Sequence, residues 1–182
     1  NRSIRTAGDE LDDAIIRFAR IKYGLLVGEA TAEQVKLAVG SGFVFEKGPA
    51  SSRKNGITRD TGVLQTVVRG RDLSSGLPRS VKFTSIEVRE ALAPVVQQII
   101  QTVKDVLEET PPELTADILQ GGIVLAGGSS LLRGLDQLIA VETKMPVWRM
   151  EDPIAGVVNG CGKVLLDKAL LDRVKVVGGF TV

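Results

Sequence analysis

The stretch that most constrains this chain is GGIVLAGGSSLLRGLD, residues 121–136. Residues 123–126 are a short apolar run, β-branched at Ile123 and Val124 and bounded by glycine on both sides, which is the pattern of a buried strand. Gly127 and Gly128 follow at once and let the chain turn tightly. Ser129 or Ser130 is then placed to cap a helix. Leu131, Leu132, Leu135, Leu138 and Ile139 fall on one helical face, with Arg133, Asp136 and Gln137 off it. The spacing therefore predicts a buried strand that ends in a Gly-Gly-Ser-Ser turn and launches a helix. Free backbone N–H groups and the positive end of the helix dipole at such a turn favour an anion, and a nucleotide phosphate is the usual guest. The turn is neither GxGxxG nor a P-loop. On its own it leaves two readings open, a phosphate turn or a packing turn whose glycines let helix and strand lie close.

Composition narrows the classes of function. A chain of 182 residues, 43% hydrophobic and 25% charged, suits one or two compact domains with a real core. The net charge of +1 gives no argument for a nucleic-acid partner. Histidine is absent, which excludes His-based triads and His metal sites. Cys161 stands alone, so no disulfide framework and no all-cysteine metal site can form, and a reducing compartment is expected. No apolar run approaches the length of a membrane span, and the opening residues carry no signal-peptide pattern, so neither feature is expected within this sequence. The chain starts Asn1-Arg2-Ser3 without an initiator Met, and its first recognisable element is already mid-fold, so a processed chain or a fragment is expected.

Taken in order, residues 4–6 read as the end of a strand. Asp9 is placed as the N-cap of a first helix, with Asp12 three residues on. Leu11, Ile15, Phe18 and Ile21 form its apolar stripe, and Gly24 is a natural stop. Thr31 and Gln34 make a capping box for a short helix over about 32–39 that ends at Gly40. Glu33 and Lys36 share a face of that helix at i,i+3 spacing, where an ordinary solvated ion pair is worth a few tenths of a kcal/mol. Residues 43–45 and 63–69 read as strands. Between them, residues 47–62 read as a long mobile loop with an Asn55-Gly56 turn signal, and its Arg53-Lys54 pair reads as solvated surface.

Ser74-Ser75-Gly76 makes a turn before a strand over 79–83, and Thr84 with Glu87 opens a helix. Pro94 is expected to interrupt that helix and start a second segment with a buried stripe of Val95, Ile99, Val103 and Val106. Pro111-Pro112 forbids continuation, and a short helix over 113–119 leads into the glycine-rich stretch. Residues 146–150 read as another strand. Asp152-Pro153 reads as the start of a last helix running to about residue 170, with Gly156 and Gly160 on one face. Residues 174–182 read as a strand or a frayed tail.

Ser3-Ile4-Arg5 followed by Ala7-Gly8-Asp9-Glu10-Leu11-Asp12 resembles the GDExxD helix start of the bacterial actin MreB/Mbl family. The likeness continues, in the same order, through Lys22-Tyr23, Thr31-Ala32-Glu33, Arg69-Gly70-Arg71-Asp72-Leu73, Gly76-Leu77-Pro78 and Thr110-Pro111-Pro112-Glu113-Leu114. It ends with residues 122–136, Glu151-Asp152-Pro153 and Gly160-Cys161-Gly162-Lys163, and so covers about residues 1–167. In the family the turn usually has three glycines and then Ala, where this chain has Ser129 and Ser130 at the last two places.

The resemblance implies an α/β chain with the actin-like ATPase (ribonuclease H-like) fold. It implies the second domain only, with inner and outer subdomains, the first domain lying upstream of Asn1. By the same resemblance residues 1–8 end an inner-subdomain strand, 9–76 are the outer subdomain, 77–151 the inner one with the adenosine motif, and 152–182 a crossing helix and tail. It implies ATP as cofactor, with Mg2+ in the full-length protein. The nucleotide-binding residues carried over are Glu33, Gln34, Val35 and Lys36 on the ribose and adenine, and Gly127, Gly128, Ser129, Ser130 and Leu131 as the adenosine turn. A Glu carboxylate can accept from both ribose hydroxyls, and a Lys stem can cover a base while its ammonium stays wet.

The partners implied are further copies in a filament, the cell-wall elongation machinery, and the inner membrane surface through the first domain, with the protein at the cytoplasmic face. ATPase activity is expected of the full-length protein and not of this chain alone. Two other classes compete: a DnaK-type chaperone or sugar-kinase relative on the same fold, and an interaction fragment without catalysis. Arg69-Gly70-Arg71-Asp72 and Thr110-Pro111-Pro112-Glu113 favour the cytoskeletal reading.

Overall fold

The computed structural model describes residues 1–43 and 63–174. Its elements in order are α1 (Gly8–Tyr23), β1 (Leu25–Leu26), α2 (Glu29–Val39), β2 (Gln65–Asp72), β3 (Pro78–Thr84), α3 (Ser85–Glu108), α4 (Pro112–Gly121), β4 (Ile123–Leu125), α5 (Leu135–Thr143), β5 (Val147–Arg149), α6 (Gly156–Leu166) and α7 (Lys168–Val174). Strands β1, β2 and β3 form an antiparallel sheet in that order, and β4 pairs with β5 in parallel. No helix of the described residues is long and apolar enough to cross a membrane. The strand expected at 43–45, the loop at 47–62 and the tail beyond 174 lie outside the described residues, apart from Phe43, which sits in a bend.

One core joins the first sheet to the helices around it. Leu11, Ile15, Leu25, Val39, Val68, Phe83, Val88, Leu92, Ile100 and Ile139 are all fully buried. Phe83 meets Phe18 edge-on at 5.5 Å and stacks on Tyr23 at 5.2 Å, which fixes the sheet against α1. Gly24 closes α1 in the left-handed conformation, as its position after the apolar stripe predicts. The stripe itself shifts: Ile21 is 84% exposed, and Ala14 and Ala19 are buried where α1 runs close to its neighbours. At Thr84 both halves of the capping box form, since the hydroxyl accepts from Glu87 N–H and the Glu87 carboxylate accepts from Thr84 N–H.

Several helix starts differ from the sequence expectation. Residue Ala7, not Asp9, is the N-cap of α1; Asp9 lies in the first turn, where its charge suits the dipole without a cap hydrogen bond. Asp12 does not reach back to the cap but pairs with Lys36. Helix α2 starts at Glu29 after an extended Gly28, so Thr31 and Gln34 form no capping box and Thr31 is already helical. Pro94 does not divide α3, which runs unbroken for 24 residues. Its lost hydrogen bond is local, while Val88, Leu92, Val95, Val96 and Ile100 are buried along one face of the continuous helix. The expected stripe is half right, since Val95 is buried and Ile99, Val103 and Val106 are only partly so.

The end of the chain also departs from expectation. Residues 4–6 form no strand: among the described residues they pair with neither sheet, and nearby Arg2 is tied to Asp105 of α3 and to Glu109 just after it. Strand β4 is short and half-covered, with Val124 62% exposed, because its sheet has only two described strands. Asp152 caps a turn by accepting from Ala155 N–H, and α6 begins later, at Gly156. Asp167 is extended and breaks the last helix, then accepts from Ala169 and Leu170 N–H to start α7. Helix α6 leaves Val157, Val158, Leu165 and Leu166 exposed.

Candidate functional site

Three elements meet around a cleft of about 800 Å³. The N-terminal turns of α1 supply Gly8, Asp9 and Asp12, the face of α2 supplies Glu29, Glu33, Lys36 and Leu37, and the turn after β4 supplies Gly128, Ser129, Leu131 and Arg133. The sequence places α2 and the turn about ninety residues apart. They meet because Leu132, Leu135 and Ile139 enter the same core as Val35 and Val39.

The turn after β4 differs from the sequence expectation. Residues Gly128–Leu131 form a single 3-10 turn, and α5 starts only at Leu135 after Gly134 in the left-handed conformation. Neither serine caps a helix. The Ser130 hydroxyl is buried and donates to the Gly127 carbonyl at 2.7 Å, and Ser130 N–H donates to the same carbonyl. Gly127 adopts φ 83° and its N–H donates to the Pro153 carbonyl, so this glycine is needed for the backbone conformation. The dipole argument for a phosphate at this point loses its basis, because no α-helix begins there. What the turn offers is room: a Cβ added at Gly128 would meet nothing within 4 Å.

Of the residues marked for the nucleotide, Glu33, Lys36, Gly128, Ser129 and Leu131 line the cleft. Gln34 faces solvent on another side of α2, Val35 is buried in the core, and Gly127 and Ser130 support the turn from behind. Glu33 and Lys36 do not pair. Lys36 Nζ lies 2.7 Å from Asp12 Oδ2 and 3.2 Å from the Gly8 carbonyl, so the ammonium is held in the cleft wall and not left in water. Glu33 is exposed, with its carboxylate open to the cleft.

Sequence reasoning missed Gly8, Asp12 and Arg133. Gly8 sits at the junction, where an added Cβ would lie 3.5 Å from Ser129 Oγ and 3.7 Å from Lys36 Nζ. Arg133 Nη2 donates to the Ala38 carbonyl at 2.7 Å and Nε to the Gly40 carbonyl at 3.2 Å, and burial pulls its guanidinium below the ordinary value. A charged residue off the apolar face of a short helix gave the only signal for it. Among the described residues no three His, Cys, Asp or Glu side chains sit together so as to hold a metal ion.

The family model described as "MreB/Mbl protein" matches residues 1–173. The cell shape-determining protein Mbl of Bacillus subtilis (strain 168) is 44% identical over 165 residues, covering 91% of this chain and 45% of that protein. The cell shape-determining protein MreB of Escherichia coli (strain K12) is 42% identical over 163 residues, covering 90% of this chain and 43% of that protein. The chain thus spans about half the length of the curated relatives it matches. Among solved structures, MreB5 of Spiroplasma citri bound to AMPPNP superposes with a TM-score of 0.78 at 31% identity, over 95% of this chain and 47% of that one. The MamK double helical filament gives a TM-score of 0.64 at 20% identity, over 90% and 46%, a likeness of fold alone. These neighbours place the chain on the actin-like ATPase fold.

Proposed function

The chain belongs to the MreB/Mbl family, and from that premise we propose that it is the nucleotide-holding second half of a bacterial actin that sets cell shape. In this reading residues 9–76 are the outer subdomain and 77–151 the inner one. Residues 1–8 end an inner strand, and residues 152–182 cross toward the first domain. ATP binds at the cleft. Self-association into filaments, contact with the wall-elongation machinery and a place at the cytoplasmic face of the inner membrane belong to the whole protein. The MreB5 neighbour was solved with AMPPNP and with ADP, and MamK as a filament, which supports nucleotide binding and assembly as the properties to test.

One observation carries the proposal. The fold brings Glu33 and Lys36 on α2 to the same cleft as Gly128, Ser129 and Leu131. A carboxylate beside an open, glycine-floored space suits a ribose with its two hydroxyls, and the apolar stems of Lys36, Leu37 and Leu131 suit a base. Adenine and ribose thus fit residues that are present. ATP, when bound, would supply the phosphoanhydride, and Mg2+ would supply charge neutralisation in the full-length protein. This chain's residues hold the nucleoside end and exclude water from it.

The test is a titration of the full-length protein with ADP and ATP, beside a Gly128→Val variant. Micromolar or tighter binding by the parent, lost in the folded variant, is the expected result. Equal affinity in both, or none in the parent, overturns the reading.

A further inference from the structure

We propose that Asp12 is a positioning residue for the nucleotide and acts through Lys36; this rests on the nucleotide reading of the cleft given above. Asp12 and Lys36 are 14% and 15% exposed and form an ion pair of 2.7 Å between α1 and α2. The other carboxylate oxygen, Asp12 Oδ1, is buried without a hydrogen-bond partner among the described residues. An ion pair withdrawn from water is a poor stabiliser, since desolvation offsets its attraction, and an orphaned carboxylate oxygen adds to the cost. The arrangement makes sense as preorganisation. A lysine stem has four rotatable bonds, and Asp12 Oδ2 with the Gly8 carbonyl takes two of the three ammonium donors. The stem is thereby laid along the cleft wall before any ligand arrives, and one donor is left for the occupant.

The pairing also sets the class of group that this wall receives. Asp12 cancels the charge of Lys36, and Asp9, Glu29 and Glu33 then leave the α1 and α2 walls net negative, which suits a ribose and a base and repels a polyphosphate. An unpaired lysine there would draw the polyphosphate. Freed from Asp12, Lys36 loses its fixed place against the base.

The experiment is a double-mutant cycle on the dissociation constant for ADP in the full-length protein, with parent, D12N, K36M and D12N/K36M. Each single variant is expected to bind ADP about 3- to 30-fold more weakly, the range for losing a placed polar contact, and the double variant no more weakly than the K36M single. A D12N effect of the same size in the parent and K36M backgrounds overturns the proposal, because Asp12 would then act without Lys36. An unchanged constant in D12N also overturns it. Loss of thermal stability in D12N without a change in affinity counts as that second outcome. A parent that does not bind ADP removes both this proposal and the reading beneath it, whereas a binding parent with an inert D12N removes this one alone. If D12N does not fold, Asp12→Glu keeps the charge on a longer stem that displaces the ammonium. It is expected to weaken ADP to a similar extent, and an unchanged constant overturns the proposal.

Discussion

Arg133 Nη2 lies 2.7 Å from the carbonyl oxygen of Ala38, in the last turn of α2. The same guanidinium donates through Nε to the Gly40 carbonyl, and Gly42 N–H returns a hydrogen bond to the Arg133 carbonyl at 2.8 Å. The last carbonyls of a helix have no partner within it and carry the negative end of its dipole. A half-buried arginine satisfies both needs at once and ties α2 to the turn after β4. The two walls of the cleft are therefore joined by one side chain.

Replacing Arg133 by Met keeps most of the stem and removes the donors. Two carbonyls then lose charge-assisted partners, and we expect a loss of about 2–3 kcal/mol in urea unfolding. Lysine at this position, a point charge without the fork, should recover only part of it. A Met variant within 0.5 kcal/mol of the parent (an estimate typical of surface sites) would mean the tie carries no energy.

Neighbouring glycines in the turn should respond in opposite ways. Gly128 has open space beside it and no positive φ, so Gly128→Ala should leave folding unchanged to within about 0.5 kcal/mol. Gly127, at φ 83°, should cost about 1–2 kcal/mol as alanine, since a Cβ disfavours that conformation. Chemical denaturation of the two variants in parallel checks the contrast. Equal losses would show that the backbone at Gly127 relaxes freely.

For Glu33 the absence of a pairing with Lys36 gives a clean separation between binding and stability. Glu33→Ala breaks no hydrogen bond or ion pair of the described residues, so stability should move by less than about 0.5 kcal/mol. If the carboxylate holds a ribose, nucleotide affinity should fall by about 1–3 kcal/mol. Calorimetry on the full-length protein reads both quantities from one sample.

These contrasts show what the sequence made legible. The Thr84–Glu87 box, the stop at Gly24, the Ser74-Ser75-Gly76 turn and a strand within 146–150 follow from local spacing and stand in the structure, whereas the parallel pairing of that strand with β4 does not follow from local spacing. Helix starts expected at Asp9, Thr31 and Asp152 stand elsewhere, at Gly8, Glu29 and Gly156, because paired polar residues three apart and an Asp-Pro step are frequent local patterns and burial decides which turn is kept. Pro94 was overruled by the apolar face of a helix 24 residues long. The cleft partners Glu33 and Gly128 were found through family resemblance. Asp12 and Arg133 escaped because their partners, Lys36 and Ala38, are distant in sequence, and no local pattern announces a contact of that range.

The last prediction concerns acid. Burial pushes the Glu87 carboxyl up, yet hydrogen bonds from Lys22 Nζ, Tyr23 Oη and the N–H and hydroxyl of Thr84 outweigh it and hold the pKa at about 2. The carboxylate is 18% exposed, so solvent screens it little. Its folded pKa is depressed below the unfolded value of about 4.5, so the folded state binds fewer protons than the unfolded state between these values. The stabilisation is then fully present above pH 4.5 and is lost as pH falls toward 2, amounting to about 3 kcal/mol at neutrality. Glu87→Gln keeps the shape and removes the charge. The stability gap between parent and variant should be near its maximum at pH 6, shrink to roughly half at pH 3 and close near pH 2. Urea unfolding of both proteins across pH 6 to 3 measures the gap. A constant gap would mean that the cap at Thr84 is stabilised by shape alone and that the charge of Glu87 plays no part.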